Sequence, residues 1–195
     1  MSLTIFSAIS LLVICFVGYS HSWVFTDIDY AKLRTALADE IKNVKSELSD
    51  DDLKQLKFNF IYPGTKWCGP GNVADNYDDL GSAWQADSCC REHDNCPDVL
   101  AAGETRMNLT NDAFYTRLNC GCDETFRQCL HNANSSVALQ IGIVYFDLLG
   151  TQCYREDYPI TGCEKTSIWL HKKCLQYTYD TEGEKRYQWF DVPNY

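Results

Sequence analysis

Along its 195 residues the chain changes texture twice. Leu3 to Val17 is an apolar run broken only by small and hydroxyl residues, and Gly18-Tyr19-Ser20-His21-Ser22 follows it. The run is shorter than the ~20 apolar residues a membrane-spanning helix needs. Its small-residue tail suits a cleaved secretion signal over residues 1–22, although no Lys or Arg precedes it. Next, Tyr30, Leu33, Leu37, Ile41, Val44 and Leu48 recur every three or four positions among charged residues, the period of an amphipathic helix. Ser49-Asp50-Asp51-Asp52 suits the start of a second helix. This segment, 23–60, reads either as an ordinary helix of the mature fold or as a pro-segment, the reading adopted here, with no dibasic site before Ile61.

From Ile61 onward the pattern is that of one disulfide-rich domain, residues 61–195. A loop-rich stretch runs to Gly81, and Ser82 to Asn95 reads as a helix stopped by Pro97. Thr110-Asn111-Asp112 offers a cap for a helix over Ala113 to Leu130, and Ser135 to Leu149 makes a third, strongly apolar helical run. Beyond Cys153 the chain reads as extended, and Leu175–Tyr179 and Arg186–Phe190 are expected to pair as a C-terminal β-hairpin through Glu182-Gly183. The expected fold class is α+β, mainly helical.

Composition adds the compartment. Eleven cysteines in 195 residues point to an oxidising, extracellular destination. Cys15 lies in the leader, so the secreted chain keeps an even number, consistent with five disulfides and no free thiol. The net charge is −10 and the pI about 4.7. That balance argues against a nucleic-acid partner and gives no electrostatic pull toward anionic membranes. Asn108-Leu109-Thr110 and Asn134-Ser135-Ser136 are glycosylation sequons, at least one of which is expected to be occupied.

The chemistry concentrates in two stretches, Trp67-Cys68-Gly69-Pro70-Gly71-Asn72 and Cys89-Cys90-Arg91-Glu92-His93-Asp94-Asn95-Cys96. Cys89, His93 and Cys96 stand at i, i+4 and i+7 on one helical face, while Cys90 and Asp94 share a face turned about 100° away. Cys122 and Cys129 are also seven apart, so two antiparallel helices could be stapled as Cys89 to Cys129 and Cys96 to Cys122. Asp123 would then fall within about half a turn of His93. A bond between Cys90 and Cys68 would bring Asp94 to the glycine loop. That set suits one calcium ion, held by the carbonyls of Trp67, Gly69 and Gly71 and the Asp94 carboxylate. Zinc is the rival for a Cys/His cluster, disfavoured where the cysteines are paired.

Ile61-Tyr62-Pro63-Gly64-Thr65, the glycine loop, Cys89-Cys90-Arg91-x-His93-Asp94-x-Cys96-Pro97-Asp98 and Tyr187-Gln188-Trp189-Phe190-Asp191 resemble the secreted phospholipases A2 of the bee-venom type, group III. The resemblance covers Ile61 to Tyr195. It implies His93 as catalytic base, Asp123 as the aspartate orienting it, Tyr145 as a supporting tyrosine, and Asp94 with Trp67, Gly69 and Gly71 as the calcium ligands. It also implies the pairs Cys120 to Cys153 and Cys163 to Cys174. The chain departs from basic venom enzymes in its acidic balance. The implied activity is hydrolysis of the sn-2 ester of glycerophospholipids at a membrane surface by a secreted monomer, with the Gly69 N–H as a further oxyanion donor. A catalytically silent secreted binder on the same scaffold is the alternative.

Overall fold

A computed structural model of the chain describes residues 61–113, 115–167 and 172–195. The expected leader and the amphipathic segment lie outside the described residues. Within them, helix α1 spans Trp84–Asp94, and four short strands follow: β1 Val99–Leu100, β2 Thr105–Arg106, β3 Leu109–Thr110 and β4 Arg117–Leu118. Helix α2 is Cys120–Ala133, and α3 is Ser136–Gly142, passing into a π-helical turn over Ile143–Leu148. Strands β5 Gln152–Asp157, β6 Ile160–Thr166, β7 Cys174–Tyr179 and β8 Arg186–Asp191 complete the order. Extended residues are nearly as numerous as helical ones, so the class is a balanced α+β rather than mainly helical.

All five expected disulfides are formed: Cys68–Cys90, Cys89–Cys129, Cys96–Cys122, Cys120–Cys153 and Cys163–Cys174. Two of them clamp α1 to α2, and a third ties the start of α2 to β5. The core between them is built from Ala86 and Cys89 of α1, Phe126 and Leu130 of α2, Ala138 and Ile141 of α3, Phe146, Phe190 and Val192, all nearly or fully buried. A smaller cluster gathers Leu100, Leu109 and Tyr154 under Met107, Tyr187 and Trp189.

Two expectations fail for identifiable reasons. No helix runs from Ala113, because the Asn111 side chain is fully buried and serves three backbone groups. Its Nδ2 donates to the carbonyls of Leu100 and Tyr115, both at 2.8 Å, and its Oδ1 accepts from the Ala113 N–H at 3.1 Å. An Asn that satisfies turn backbone in this way competes with the helix. Arg117–Leu118 then pairs antiparallel with Val99–Leu100. The helix starts only at Asn119, an extended residue whose side chain accepts from the Gly121 N–H at 2.9 Å.

The expected hairpin also has the wrong partners. Strand β8 pairs with β5 through a six-position ladder, Gln152↔Asp191 to Asp157↔Arg186, and β7 pairs with β6. Period-2 alternation marks a strand but not its neighbour. The partner is chosen by the Cys163–Cys174 bond and by Gln188. The Gln188 amide accepts from the Ile160 N–H and donates to the carbonyls of Asp157 and Tyr158, closing the β5–β6 turn onto β8.

Asn119→Ala removes the α2 cap together with the hydrogen bond from Asn119 Nδ2 to Asp98 Oδ2 at 2.9 Å. With the disulfides intact, urea unfolding should show a loss of about 1–2 kcal/mol. An unchanged midpoint would show that the disulfides alone define this helix start.

Candidate active site

The clamp between α1 and α2 decides what faces what. Cys89 and Cys96 bracket His93 on one stripe of α1, so the bonds to Cys129 and Cys122 press the His93 ring against the face of α2 that carries Asp123 and Phe126. His93 Nε2 meets Asp123 Oδ1 at 2.9 Å. The ring stacks on Phe126, centroids 4.3 Å apart, and meets Tyr145 edge-on at 5.1 Å. Flanked on two sides, the imidazole has little freedom to swing.

Asp123 is almost completely buried, and its Oδ1 takes a second hydrogen bond, from the Tyr145 hydroxyl at 2.7 Å. Tyr145 reaches it from the π-helical turn, where the extra residue per turn resets the direction of side chains relative to α3. Burial first, then the charge of Asp123 and its hydrogen bond, holds the Tyr145 hydroxyl well above the usual phenol range. Tyr145 is therefore a fixed donor. Oδ2 of Asp123 is buried without a hydrogen-bond partner among the described residues.

The other face of α1 holds the glycine loop. Cys68–Cys90 brings the two Cα atoms to 5.1 Å. The loop then needs its backbone donors satisfied, and a residue that the spacing argument passed over supplies the acceptor. Asp87 is fully buried and accepts from the N–H groups of Lys66 (2.9 and 3.0 Å), Trp67 (2.8 Å) and Gly81 (2.7 Å). The signal was present in the sequence, since Asp87, Cys90 and Asp94 stand at i, i+3 and i+7, one stripe of the helix. A second tie comes from Arg91, whose guanidinium lies 4.2 Å over the Tyr77 ring and donates to the Tyr77 carbonyl, while the Tyr77 hydroxyl donates to Glu92. Gly81 is required by a close approach, because a Cβ there would sit 2.3 Å from the Gly64 carbonyl oxygen.

Within the loop, Gly71 adopts φ +87°, the left-handed region that glycine enters without strain. The carbonyls of Gly69 and Gly71 accept no hydrogen bond among the described residues, whereas the Trp67 carbonyl accepts from the Gly69 N–H at 3.2 Å. That N–H, expected as an oxyanion donor, is thus engaged within the loop. Asp94 is exposed at the surface, yet lost hydration, and next the charge of Asp87, pushes its carboxyl up to about 7. A carboxylate so disfavoured, with no hydrogen-bonding protein partner among the described residues, and two loop carbonyls that accept no hydrogen bond there are donors of the kind a hard divalent cation takes.

Comparison with known proteins agrees in kind. Residues 61–157 match the family described as Phospholipase A2. A Phospholipase A2 of Bombus pensylvanicus is 52% identical over 136 residues, 69% of this chain and 99% of that protein. One of Apis mellifera is 43% identical over 154 residues, 78% of this chain and 88% of that protein. A Phospholipase A2 large subunit of Chersonesometrus fulvipes is 49% identical over 100 residues, 49% of this chain and 96% of that protein.

Asp87→Asn replaces one acceptor oxygen by an NH2 group facing backbone donors. Chemical denaturation should therefore register a loss of about 2–3 kcal/mol. Proteolytic cutting between residues 66 and 81 should rise in parallel. A variant of full stability and unchanged loop protection would mean that Cys68–Cys90 holds the loop without Asp87.

Proposed function

The chain belongs to the phospholipase A2 family of the bee-venom type and is a phospholipase A2, and from that premise we propose that it is secreted and cleaves the sn-2 acyl ester of glycerophospholipids with one calcium ion, His93 acting as general base on water. The observation that carries this reading is the His93 Nε2 to Asp123 Oδ1 pairing at 2.9 Å. With Nε2 donating to a buried carboxylate, the basic lone pair of the neutral ring lies on Nδ1, which meets no protein partner among the described residues. A water on Nδ1 loses its proton as it attacks the ester carbonyl, and the imidazolium that forms is stabilised by Asp123. Tyr145, donating to the same Oδ1, fixes the carboxylate while His93 changes charge. Phe126 keeps the ring plane constant through the cycle.

Asp94 and the carbonyls of Trp67, Gly69 and Gly71 would hold the ion. When bound, calcium supplies positive charge for the substrate phosphate and for the ester oxygen as that oxygen gains charge. Asp94, disfavoured as a bare anion, is the one charged ligand in the set.

The lipid surface is met by apolar contact more than by charge. From Ile61 onward eleven Lys and Arg stand against nineteen Asp and Glu. Ile61 and Tyr62 are half-buried and Phe190 is buried, so they give less to an interface than their composition promises. Among the described residues the exposed large apolar residues are instead Val73, Tyr77 and Trp84, Val144 and Leu149 on either side of Tyr145 and Phe146, and Leu175 on β7. Among the described residues no helix is long and apolar enough to cross a membrane.

The direct test is fatty-acid release from phosphatidylcholine vesicles labelled in the sn-2 chain, with calcium and then with a chelator. Release of the labelled acid that stops on chelation is expected. A folded protein that releases none is a silent binder, and release that survives chelation removes the ion from the reaction.

Two variants separate the roles. His93→Gln has no titratable base, so turnover should fall by several orders of magnitude while calcium binding is kept. Asp94→Asn should instead weaken calcium affinity by removing the charged ligand. Equal effects of both variants on calcium binding would contradict the division. Hydrolysis of zwitterionic vesicles should also depend little on added salt, since screening acts on exposed charge. A sharp loss with salt would show that a local basic patch governs docking.

A further inference from the structure

The β2–β3 connection is a two-residue turn, Met107-Asn108, with both residues at positive φ, +55° and +58°. That is the backbone of a type I′ hairpin, whose twist matches the strands it joins and in which Asn is among the few residues tolerated. Thr105 pairs with Thr110 and Arg106 with Leu109. The turn is anchored from below, because Leu109 is buried and Met107 packs on the small cluster with Tyr187 and Trp189. Asn108 itself is exposed, and its amide takes part in no hydrogen bond among the described residues. The fold therefore uses its backbone and leaves its side chain idle.

Asn108 also opens the sequence Asn108-Leu109-Thr110, and it lies on the rim of an open groove of about 720 Å³. Met107, Lys185, Arg186, Tyr187 and Trp189 are among the groove's other lining residues. Aromatic faces rimmed by hydrogen-bond donors suit a pyranose, which presents C–H groups on one face and hydroxyls at its edge. The second sequon differs in its surroundings. Asn134 is exposed and, like Asn108, at positive φ (+44°), but it ends α2, and its sequon runs straight into α3, which Ser135 caps by accepting from the Ala138 N–H at 3.1 Å.

We infer that Asn108 is an N-glycosylation site and that the first N-acetylglucosamine units of its glycan lie over the groove formed by the β2–β3 turn and strand β8. This rests on the proposal that the chain is secreted, for which the five disulfides are independent support, since they form in the compartment where such glycans are added. The donor is a lipid-pyrophosphate-linked oligosaccharide. Asn108 Nδ2 forms a bond to C1 of the reducing-end sugar as the C1–O bond to pyrophosphate breaks. The pyrophosphate leaves with that electron pair, and one amide proton passes to a base of the transferring enzyme. The seated glycan would shield Lys185, which otherwise lies exposed over the Tyr158 ring.

The full chain expressed in a secreting insect cell, and the Asn108→Gln and Asn134→Gln variants beside it, decide the matter by glycopeptide mapping of the medium. Hexosamine on the Asn108 peptide, kept in Asn134→Gln and absent from Asn108→Gln, is expected. Secreted protein with a bare Asn108 overturns the site whether or not Asn134 is modified. Absence of the chain from the medium overturns the secretory premise and the inference with it. For the seat, amine acetylation of Lys185 is measured against the exposed Lys165 in the same molecule. Labelling of Lys185 should be several-fold slower in wild type than in Asn108→Gln. Equal relative rates would show that the glycan does not lie in the groove.

Discussion

Burying the carboxylate of Asp123 is the constraint on which the domain turns. An ionised carboxylate removed from water carries a penalty of several kcal/mol. The hydrogen bonds from Tyr145 and His93 to Oδ1 return about 1.5–3 kcal/mol each, as bonds to a charged group. One oxygen is left unpartnered, so the local balance is near zero and does not by itself hold α1 against α2. The clamp does. Cys89–Cys129 and Cys96–Cys122 close loops of 40 and 26 residues, each contributing about 3–4 kcal/mol by restricting the unfolded chain. Covalent stapling therefore makes affordable a polar arrangement that packing alone would disfavour.

The same helix serves a second demand on its other face. Asp87 satisfies loop N–H groups and in doing so places a buried negative charge that disfavours the ionised form of Asp94. Asp87 and Asp94 stand seven residues apart on one stripe of α1, so the helix itself sets two acidic side chains on the face where the ion is proposed to bind. Neither face would be set correctly if α1 were rotated by one residue, about 100°, which ties the base and the ion site of the proposed reaction to a single rigid element.

What was legible in the sequence follows from this. The helical stripes of cysteines in 89–96 and 122–129 are local patterns, so the clamp and the meeting of His93 with Asp123 were open to a spacing argument, whereas the Cys68–Cys90 bond rested on the placement of the glycine loop. Asp87 stood on the same stripe as Cys90 and Asp94, but its donors lie 6 to 21 residues away and nothing local names them. The false helix start at Thr110–Asp112 has the same origin. A cap-like triplet is a local signal, and the bond of Asn111 to the Leu100 carbonyl that overrides it is not. Strand pairing is the extreme case, since β5 finds β8 across the whole of β6 and β7. The groove beside Asn108 exists only because of that pairing.

The central claim is that Asp123 fixes the tautomer of His93 and leaves Nδ1 free as the base. Nitrogen NMR of protein labelled with 15N in its histidines measures this directly, at a pH where the ring is neutral and with Asp123→Asn as reference. The account predicts that His93 carries its proton on Nε2, with Nδ1 showing the shift of an unprotonated ring nitrogen, and that this preference weakens in the variant. A proton on Nδ1 in the wild-type protein, or an unchanged preference when Asp123 is replaced, would contradict it.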